Sequence, residues 1–298
     1  MIVRHRLYAD DHDRERMLAL ASAMIRDAPE RSFFHPGDVL WGMYQNTRFD
    51  PTASIGLWET EVGELAAFGW DDRHGLAVQV GPLALVDDAL LAEILDWGEA
   101  RACAREGDER MVRISVRDRD MPLLRLVEAR GYTNAGNPML HMARSLDGPI
   151  PDALPSEFVV RAVQGGVEDE ARVDLHREVW HPSRVTLEAY RRLRTISGYR
   201  SDLDLVTVAP SGEFAAYCIC WFDPGSVSGE FEPVGTRGAF RRRGAGRAVM
   251  LEGLRRLQAL GARTAIVYSV EANTASTGLY QSVGFRPVGR DLTYAKKV

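Results

Sequence analysis

The residues with the clearest chemical use are Arg241, Arg242, Arg243, Gly244, Ala245, Gly246 and Arg247, which follow closely on a run from Glu230 through Glu232, Val234 and Gly235 to Thr236. The pattern is a strand that ends in small residues, a loop with two glycines and four arginines, and then a helix. Amides in the first turn of a helix have no internal partner, and the helix dipole places about half a positive charge there. Such a terminus holds an anion, glycine lets the backbone approach it, and guanidinium forks grip phosphate oxygens. The loop therefore predicts a pyrophosphate site in the second half of the chain, and with it a phosphorylated cofactor.

Two common phosphate loops fit poorly. A dinucleotide fingerprint wants glycine or alanine at its third position, where this chain has Val249, and it opens a domain rather than following a hairpin. Glu271 ends the next apolar run, where a ribose-binding acid would stand, so that reading keeps one supporting residue. A P-loop requires lysine after its last glycine, and lysine occurs here only at Lys296 and Lys297.

The elements around the loop can be read from periodicity and turn residues. In the second half we expect a strand at 158–163, helices at 168–180 and 186–196, and a hairpin of strands 203–208 and 213–222. A strand at 230–236 leads to the glycine loop and a helix at 244–260, where Met250, Leu254, Leu257 and Leu260 keep helical spacing and Gly261 ends the run. A strand at 264–270, a helix at 272–283 and final strands over 285–294 complete this half. The first half follows the same order: strands at 2–7, 54–59, 65–70, 77–83 and 111–116, with helices at 13–26, 36–44 and 89–105.

The chain also repeats itself. His35-Pro36 with Val39 and Tyr44 returns as His181-Pro182 with Val185 and Tyr190, an offset of 146 residues. Gly63 to Phe68 returns as Gly212 to Tyr217 at an offset of 149, and Gly131-Tyr132 as Gly284-Phe285 at 153. Matches in one order with slowly growing offsets indicate a duplicated domain with small insertions. The proline-rich stretch 146–155 is then a stiff linker between a domain at 1–146 and another at 156–298. The repeated histidines read as features of the fold more than of chemistry. The place in the first half that corresponds to the arginine loop runs from Gly81 through Val86, Asp87 and Asp88, with no glycine pair and no arginine. Aspartates there repel a pyrophosphate, so the first half is expected to be degenerate, serving as scaffold or substrate wall.

Arg241-x-x-Gly244-x-Gly246 resembles the acyl-CoA loop, Arg/Gln-x-x-Gly-x-Gly/Ala, of the GNAT superfamily of N-acyltransferases. Downstream, Val270-Glu-Ala-Asn273-x-x-Ser276-x-x-Leu279-Tyr280 followed by Gly284-Phe285 resembles that family's closing helix, with Ser276 where alanine is usual. The resemblance covers about 158–295, and the duplicated chain is similar to the family of tandem GNAT proteins that includes mycothiol synthase. It implies an α/β (α+β) fold of two tandem GNAT-like domains, each with a mixed, mostly antiparallel central sheet flanked by helices. It also implies acetyl-CoA as cosubstrate, lying in a V-shaped opening between the strands 230–236 and 264–270. Backbone groups of Val234, Gly235 and Thr236 would meet the pantetheine arm, the amides of Arg242 to Arg247 the pyrophosphate, and Asn273 and Ser276 the cofactor side of the closing helix. Pro233 and Gly235 support this independently, because both are tolerated at a bulge or where a ligand approaches a strand.

Amine acetylation needs a base for the amine, a polarised thioester carbonyl and a proton for the departing thiolate. Alternation along a strand places Glu230, Glu232 and Val234 on one face, and two carboxylates this close raise the pKa of one of them. The resemblance implies a glutamate base where Glu230 falls and a tyrosine acid where Tyr280 falls; Glu232 remains the rival base. Asn273 caps its helix, contacts the cofactor, or does both.

Composition is that of a soluble globular protein. The 298 residues are 45% hydrophobic and 27% charged, and the net charge of −5 argues against nucleic acid as a partner. No apolar run is long enough for a bilayer span, and the N-terminus lacks a signal-peptide core. Three cysteines suit a reducing cytoplasm, and Cys218 and Cys220 on one face read as buried small hydrophobes, with no metal site expected. The expected activity is transfer of acetyl from acetyl-CoA to a small-molecule amine by direct attack, in a monomer or homodimer with neither nucleic-acid nor membrane partners. A non-catalytic acyl-CoA-binding or regulatory protein, and a protein N-acetyltransferase, remain open on the residues alone.

Overall fold

The computed structural model describes residues 2–72, 75–85, 87–104, 111–152 and 157–297. The first half contains β1 (Val3–Leu7), α1 (Asp11–Asp27), α2 (Pro36–Tyr44), a short α3 (Pro51–Ser54), β2 (Ile55–Thr60), β3 (Leu65–Asp72) and β4 (Gly75–Val80). It continues with α4 (Asp88–Cys103), β5 (Met111–Arg117), α5 (Met121–Ala129), β6 (Thr133–Asn134) and β7 (Met139–Ser145). The second half contains β8 (Val159–Ala162), α6 (Asp169–Val179), α7 (Leu187–Leu193), β9 (Asp204–Val208), β10 (Phe214–Asp223) and β11 (Ser228–Thr236). It closes with α8 (Ala245–Ala259), β12 (Thr264–Val270), α9 (Thr274–Ser282) and β13 (Arg286–Lys297).

Local chemistry sets most of these boundaries. Helix α2 starts at His35, whose ring accepts from the Gly37 amide while the Asp38 carboxylate accepts from the His35 amide, and Pro36 supplies the first helical position. Gly63 and Gly212 turn their hairpins with positive φ of 84° and 85°, and Gly131 and Gly284 end α5 and α9 with φ of 80° and 92°. Two of the three repeated motifs thus hold the same place in each half. The third does not. His35 is a buried helix cap, whereas His181 lies exposed on a loop and α7 begins later, behind the Thr186 cap.

All the strands belong to one sheet, in the order β1-β2-β3-β4-β5-β13-β7-β12-β11-β10-β9-β8, with β6 paired beside β13. The parallel pairs are β4 with β5 and β11 with β12; the others are antiparallel, giving the expected mixed, mostly antiparallel sheet. The halves are joined by exchanged strands. β7 of the first half pairs along its full length with β12, and the C-terminal strand β13 lies between β5 and β7. One face carries α8 and α9 over a core that includes Phe231, Val249, Met250, Leu254 and Phe285. A second core is shared by both halves, with Met17, Val39 and Trp41 packed alongside Val173, Tyr190, Leu193 and Trp221.

Several expected boundaries move. The strand expected at 77–83 stops at Val80, and Pro82, which lacks an amide hydrogen, opens a 3-10 turn over Pro82–Ala84. The final strands expected over 285–294 are one long strand, β13, and β7 had no counterpart among the expected elements. The linker region begins as part of the structure: Leu146 is buried, donates to the Arg263 carbonyl and accepts from Gln258. Residues 153–156 of that stretch, together with Val86 and Arg105, lie outside the described residues.

Candidate active site

The site is built where two strands part. β11 and β12 pair at Ser228–Thr264, Gly229–Ala265 and Glu230–Ile266, and the pairing stops there. Beyond Glu230, β11 follows β10 through Gly235 and Thr236, while β12 follows β7 to Val270. A V-shaped opening results between the strands expected to form it. The register of β11 against β10 slips between Cys218 and Cys220, so Glu232 and Pro233 form a bulge opposite Ile219.

That bulge corrects the expected alternation. Glu230 points at α2, since a Cβ on Gly37 would stand within 2.4 Å of its Oε2. Val234, by contrast, is buried in the core under α8 with Phe240 and Ala245. Inserting two residues against one reverses the phase, so Glu230 and Val234 lie on opposite faces. Gly235 is required by its neighbours, because a Cβ there would meet the Tyr217 ring at 2.4 Å.

The arginine-glycine loop forms the start of α8. Gly244 is the N-cap with a left-handed φ of 91°, and the first bond of the helix runs from the Ala248 amide to its carbonyl. The amides of Ala245, Gly246 and Arg247 therefore precede the helix's own ladder, in the form that suits an anion. Gly246 serves packing: a Cβ there would lie 2.6 Å from Thr236 Oγ1 and 3.3 Å from the Leu279 side chain. Arg241 Nε donates to the Thr236 carbonyl at 3.4 Å. Arg243 is turned away, paired with Glu157 and stacked over Phe158 and Phe240. Arg241, Arg242 and Arg247 form no ion pair among the described residues, which leaves three guanidinium groups for phosphate. The donor set fits an acyl-CoA pyrophosphate.

At the fork, the carboxyl chemistry is unusual. Glu230 is fully buried, its Oε2 lies 3.1 Å from His35 Nδ1, and neither oxygen has a hydrogen-bond partner among the described residues. Burial pushes its pKa up to about 8. Glu232, partly buried, is likewise raised to about 8 by desolvation and then by the nearby Asp38 carboxyl; its carbonyl is held by Trp221 Nε1 at 2.6 Å. Burial also holds Asp38 well above the usual carboxylate range, with Glu230 adding to the effect. His35 is pushed the other way, to about 4, so its ring is neutral near pH 7.

Tyr280 lies on the inner face of α9, buried against Phe285 with ring centroids 6.3 Å apart. Burial raises its pKa, so its hydroxyl keeps the proton. Asn273 caps α9, accepting from the Ser276 amide at 3.2 Å, while the Ser276 hydroxyl is spent on the Asn273 carbonyl and Ser269. Cys218 and Cys220 are buried free thiols with sulfurs 3.8 Å apart, and no metal-binding cluster occurs among the described residues.

Sequence reasoning missed the contribution of the first half. His35, Asp38, Arg117 and His141 all face the fork. Arg117 Nη2 donates to the Tyr268 hydroxyl at 2.8 Å, its Nη1 pairs with Asp291 at 2.8 Å, and its Nε donates to the Ser32 carbonyl. His141 stacks on Tyr268 with centroids 5.0 Å apart. The His35-Pro36-x-Asp38 capping pattern was visible, but it announces a helix start and nothing about a distant glutamate. In the first half itself, Asp87 caps α4 by accepting from the Leu90 amide, so a carboxylate stands where the second half offers free amides.

Residues 170–285 match the acetyltransferase (GNAT) family. The second half carries a GNAT acetyltransferase domain. The chain is 28% identical over 193 residues to a mycothiol acetyltransferase of Nocardia farcinica, covering 59% of this chain and 61% of that protein. It is 29% identical to the mycothiol acetyltransferase of Thermobispora bispora, covering 59% and 63%. The chain thus spans about three fifths of the length of these curated relatives. In fold, a GCN5-related N-acetyltransferase from Sphaerobacter thermophilus superposes with a TM-score of 0.68 at 21% identity, over 99% of this chain and 95% of that one. A tandem GNAT protein from the clavulanic acid biosynthesis pathway gives 0.66 at 16% identity, over 99% and 98%. Two tandem GNAT-like units with a mostly antiparallel sheet flanked by helices are therefore the architecture of the chain. Among the described residues, no helix is long and apolar enough to cross a membrane.

Proposed function

We propose that this protein transfers the acetyl group of acetyl-CoA to the amine of a small molecule by direct attack, in its second half. The observation that carries the reading is the fork at Glu230: two strands part beside a buried carboxyl, and α8 offers free amides and unpaired arginines beyond it. Mycothiol acetyltransferases among its relatives support an acceptor that is a small molecule.

Acetyl-CoA supplies an activated thioester when bound. The amides of Ala245, Gly246 and Arg247, with Arg241, Arg242 and Arg247, hold its pyrophosphate, and the free edge of β11 from Val234 to Thr236 receives the pantetheine arm. Asn273 and Ser276 set the start of α9 rather than reaching out with free side chains. Glu230 takes the proton of the attacking amine; Glu232, beside it, shares the negative charge. Tyr280 gives its proton to the leaving sulfur, which burial suits by keeping that proton in place. We divide the chain at 1–146 and 156–298, with the first domain shaping the acceptor side of the fork and binding no cofactor of its own. The buried, unbonded thiols of Cys218 and Cys220 support a reducing, cytoplasmic setting, and the protein acts as a monomer or homodimer.

The test is thiol release from acetyl-CoA across a panel of amines, with Glu230→Gln and Tyr280→Phe variants. Unchanged rates in both variants remove this mechanism. Tight coenzyme A binding with no turnover on any amine favours a regulatory protein instead.

A further inference from the structure

The fork holds more acid than one amine requires. Beside the buried Glu230 stand Asp38, in the first turn of α2 from the first half, and Glu232 on the bulge of β11. Asp38 is the principal neighbouring charge that Glu232 meets. One Asp38 oxygen accepts from the His35 amide at 2.8 Å, whereas the Glu232 carboxyl forms no hydrogen bond or ion pair among the described residues. A different kind of orphan lies close by. Glu230 pairs with Ile266, and Tyr268 stands two residues on, opposite His141 of β7, so Glu230, Tyr268 and His141 share one face of the sheet. His141 stacks on Tyr268, and its Nε2 is buried without a partner. The guanidinium at hand is that of Arg117, and it is committed to Asp291, the Tyr268 hydroxyl and the Ser32 carbonyl.

A buried carboxylate is costly without a paired cation. Transfer to one amine accounts for one of these acids, Glu230, and the amide it forms is neutral, so Asp38 and Glu232 are left without a counter-charge. We propose that the acceptor carries a second protonated nitrogen, held between Asp38 and Glu232 while the first meets Glu230; its class is a diamine or polyamine. The second nitrogen keeps its charge through the reaction and leaves on the monoacetylated product. Burial holds His35 and His141 neutral, so neither ring repels a dication. In the empty protein, burial first and neighbouring carboxyls second hold Asp38 and Glu232 above the ordinary carboxylate range, Glu232 at about 8. A bound dication opposes both effects, so protons leave the site as it binds near pH 7. The titratable and charged groups facing this pair are His35 on α2, Glu230 on β11, Arg117 on β5, Tyr268 on β12, Tyr217 on β10 and Tyr280 on α9. The first half thus selects the acceptor through Asp38 although its own cofactor loop is absent.

This inference rests on reading the fork as the acceptor site, but its test begins with binding alone. Calorimetry on the full-length protein with coenzyme A present compares diaminobutane and diaminopentane with butylamine and pentylamine. At least one diamine should bind about tenfold or more tightly than its monoamine, and release about one proton near pH 7, read from buffers of different ionisation enthalpy. Asp38→Asn keeps an oxygen for the His35 amide and Glu232→Gln keeps its volume, so both are expected to fold. Each should erase most of the preference and reduce the proton release. Asp38→Glu, which keeps the charge and the capping pattern, should retain them. Equal affinities for diamine and monoamine, no diamine binding, or a preference untouched in Asp38→Asn and Glu232→Gln overturns the inference. Acetyl transfer to monoamines with no preference for diamines overturns it and leaves the acetyltransferase reading standing. Diamine binding that depends on Asp38, with no transfer to any amine, overturns that reading and leaves this one.

Discussion

At the scale of residues, the two glutamates at the fork govern both rate and stability, in opposite directions. Glu230 and Glu232 have pKa values of about 8 in the folded protein, against an ordinary 4.5. Because the unfolded chain releases these protons first, the folded state binds more protons between those values, and stability falls as pH rises through that window. The base form needed for catalysis is gained over the upper part of the same window, so kcat/KM should rise with pH through an apparent midpoint near 8 that belongs to the pair. Glu230→Gln should cost about 10²–10⁴ in kcat/KM and abolish that rising limb. The same variant should melt at a higher temperature than wild type at pH 9, since each unit of displacement represents about 1.4 kcal/mol. A lower melting temperature there would show that the carboxylate is solvated and contradict its burial. Tyr280→Phe should lower kcat about a hundredfold with the coenzyme A Kd unchanged by calorimetry, because the buried hydroxyl holds its proton and forms no hydrogen bond among the described residues.

At the scale of elements, the start of α8 depends on two glycines for different reasons. Gly244→Ala meets open space but must adopt φ of 91°, which costs about 1 kcal/mol and leaves the helix in place. Gly246→Ala places a methyl 2.6 Å from Thr236 Oγ1, so either the Thr236 side chain or the helix has to shift at the end of β11. We expect Gly246→Ala to weaken coenzyme A binding about tenfold or more by calorimetry, and Thr236→Ala in the same chain to recover part of that loss. Equal affinities for wild type and Gly246→Ala would separate the loop from the cofactor. What the sequence disclosed here was local: a left-handed glycine, a helix cap and an alternating strand leave their marks within a few residues. The Arg241-to-Arg247 loop, Asn273 and the turn glycines were legible for that reason. The bulge at Glu232-Pro233 was half legible, since Pro233 and Gly235 announce an irregularity but not its phase. The phase decided that Val234 turns away from Glu230. His35 was least legible, because nothing near it in sequence records a partner 195 residues away.

At the scale of the whole molecule, the duplicated sequence suggested two tandem copies of a domain, and the strand exchange makes them interdependent. The repeat was visible because each copy kept its own turns, but pairing between halves leaves no periodic mark, so β7 and the placement of β13 could not be read in advance. In the second half, β12 has β11 on one side and β7 of the first half on the other; β13 pairs with β5, β6 and β7, all from the first half. Removing residues 1–152 would bare one edge of β12 along all seven of its residues and leave β13 with no partner strand. It would also uncover Trp221, Val173, Tyr190 and Leu193, which share a core with α1 and α2. An exposed edge beside apolar surface is an aggregation site, so the isolated second half should be recovered as aggregates or as a strand-exchanged oligomer. Co-expression of the two halves as separate chains should restore a one-to-one complex, because loss of the connection costs only loop-closure entropy. Size-exclusion chromatography with light scattering distinguishes these outcomes, and a monomeric, folded, coenzyme A-binding second half would show that the exchanged strands are dispensable. The co-expressed pair should also regain turnover only when the first-half chain carries Gly37, because Gly37→Ala drives a methyl against Glu230 and Trp221.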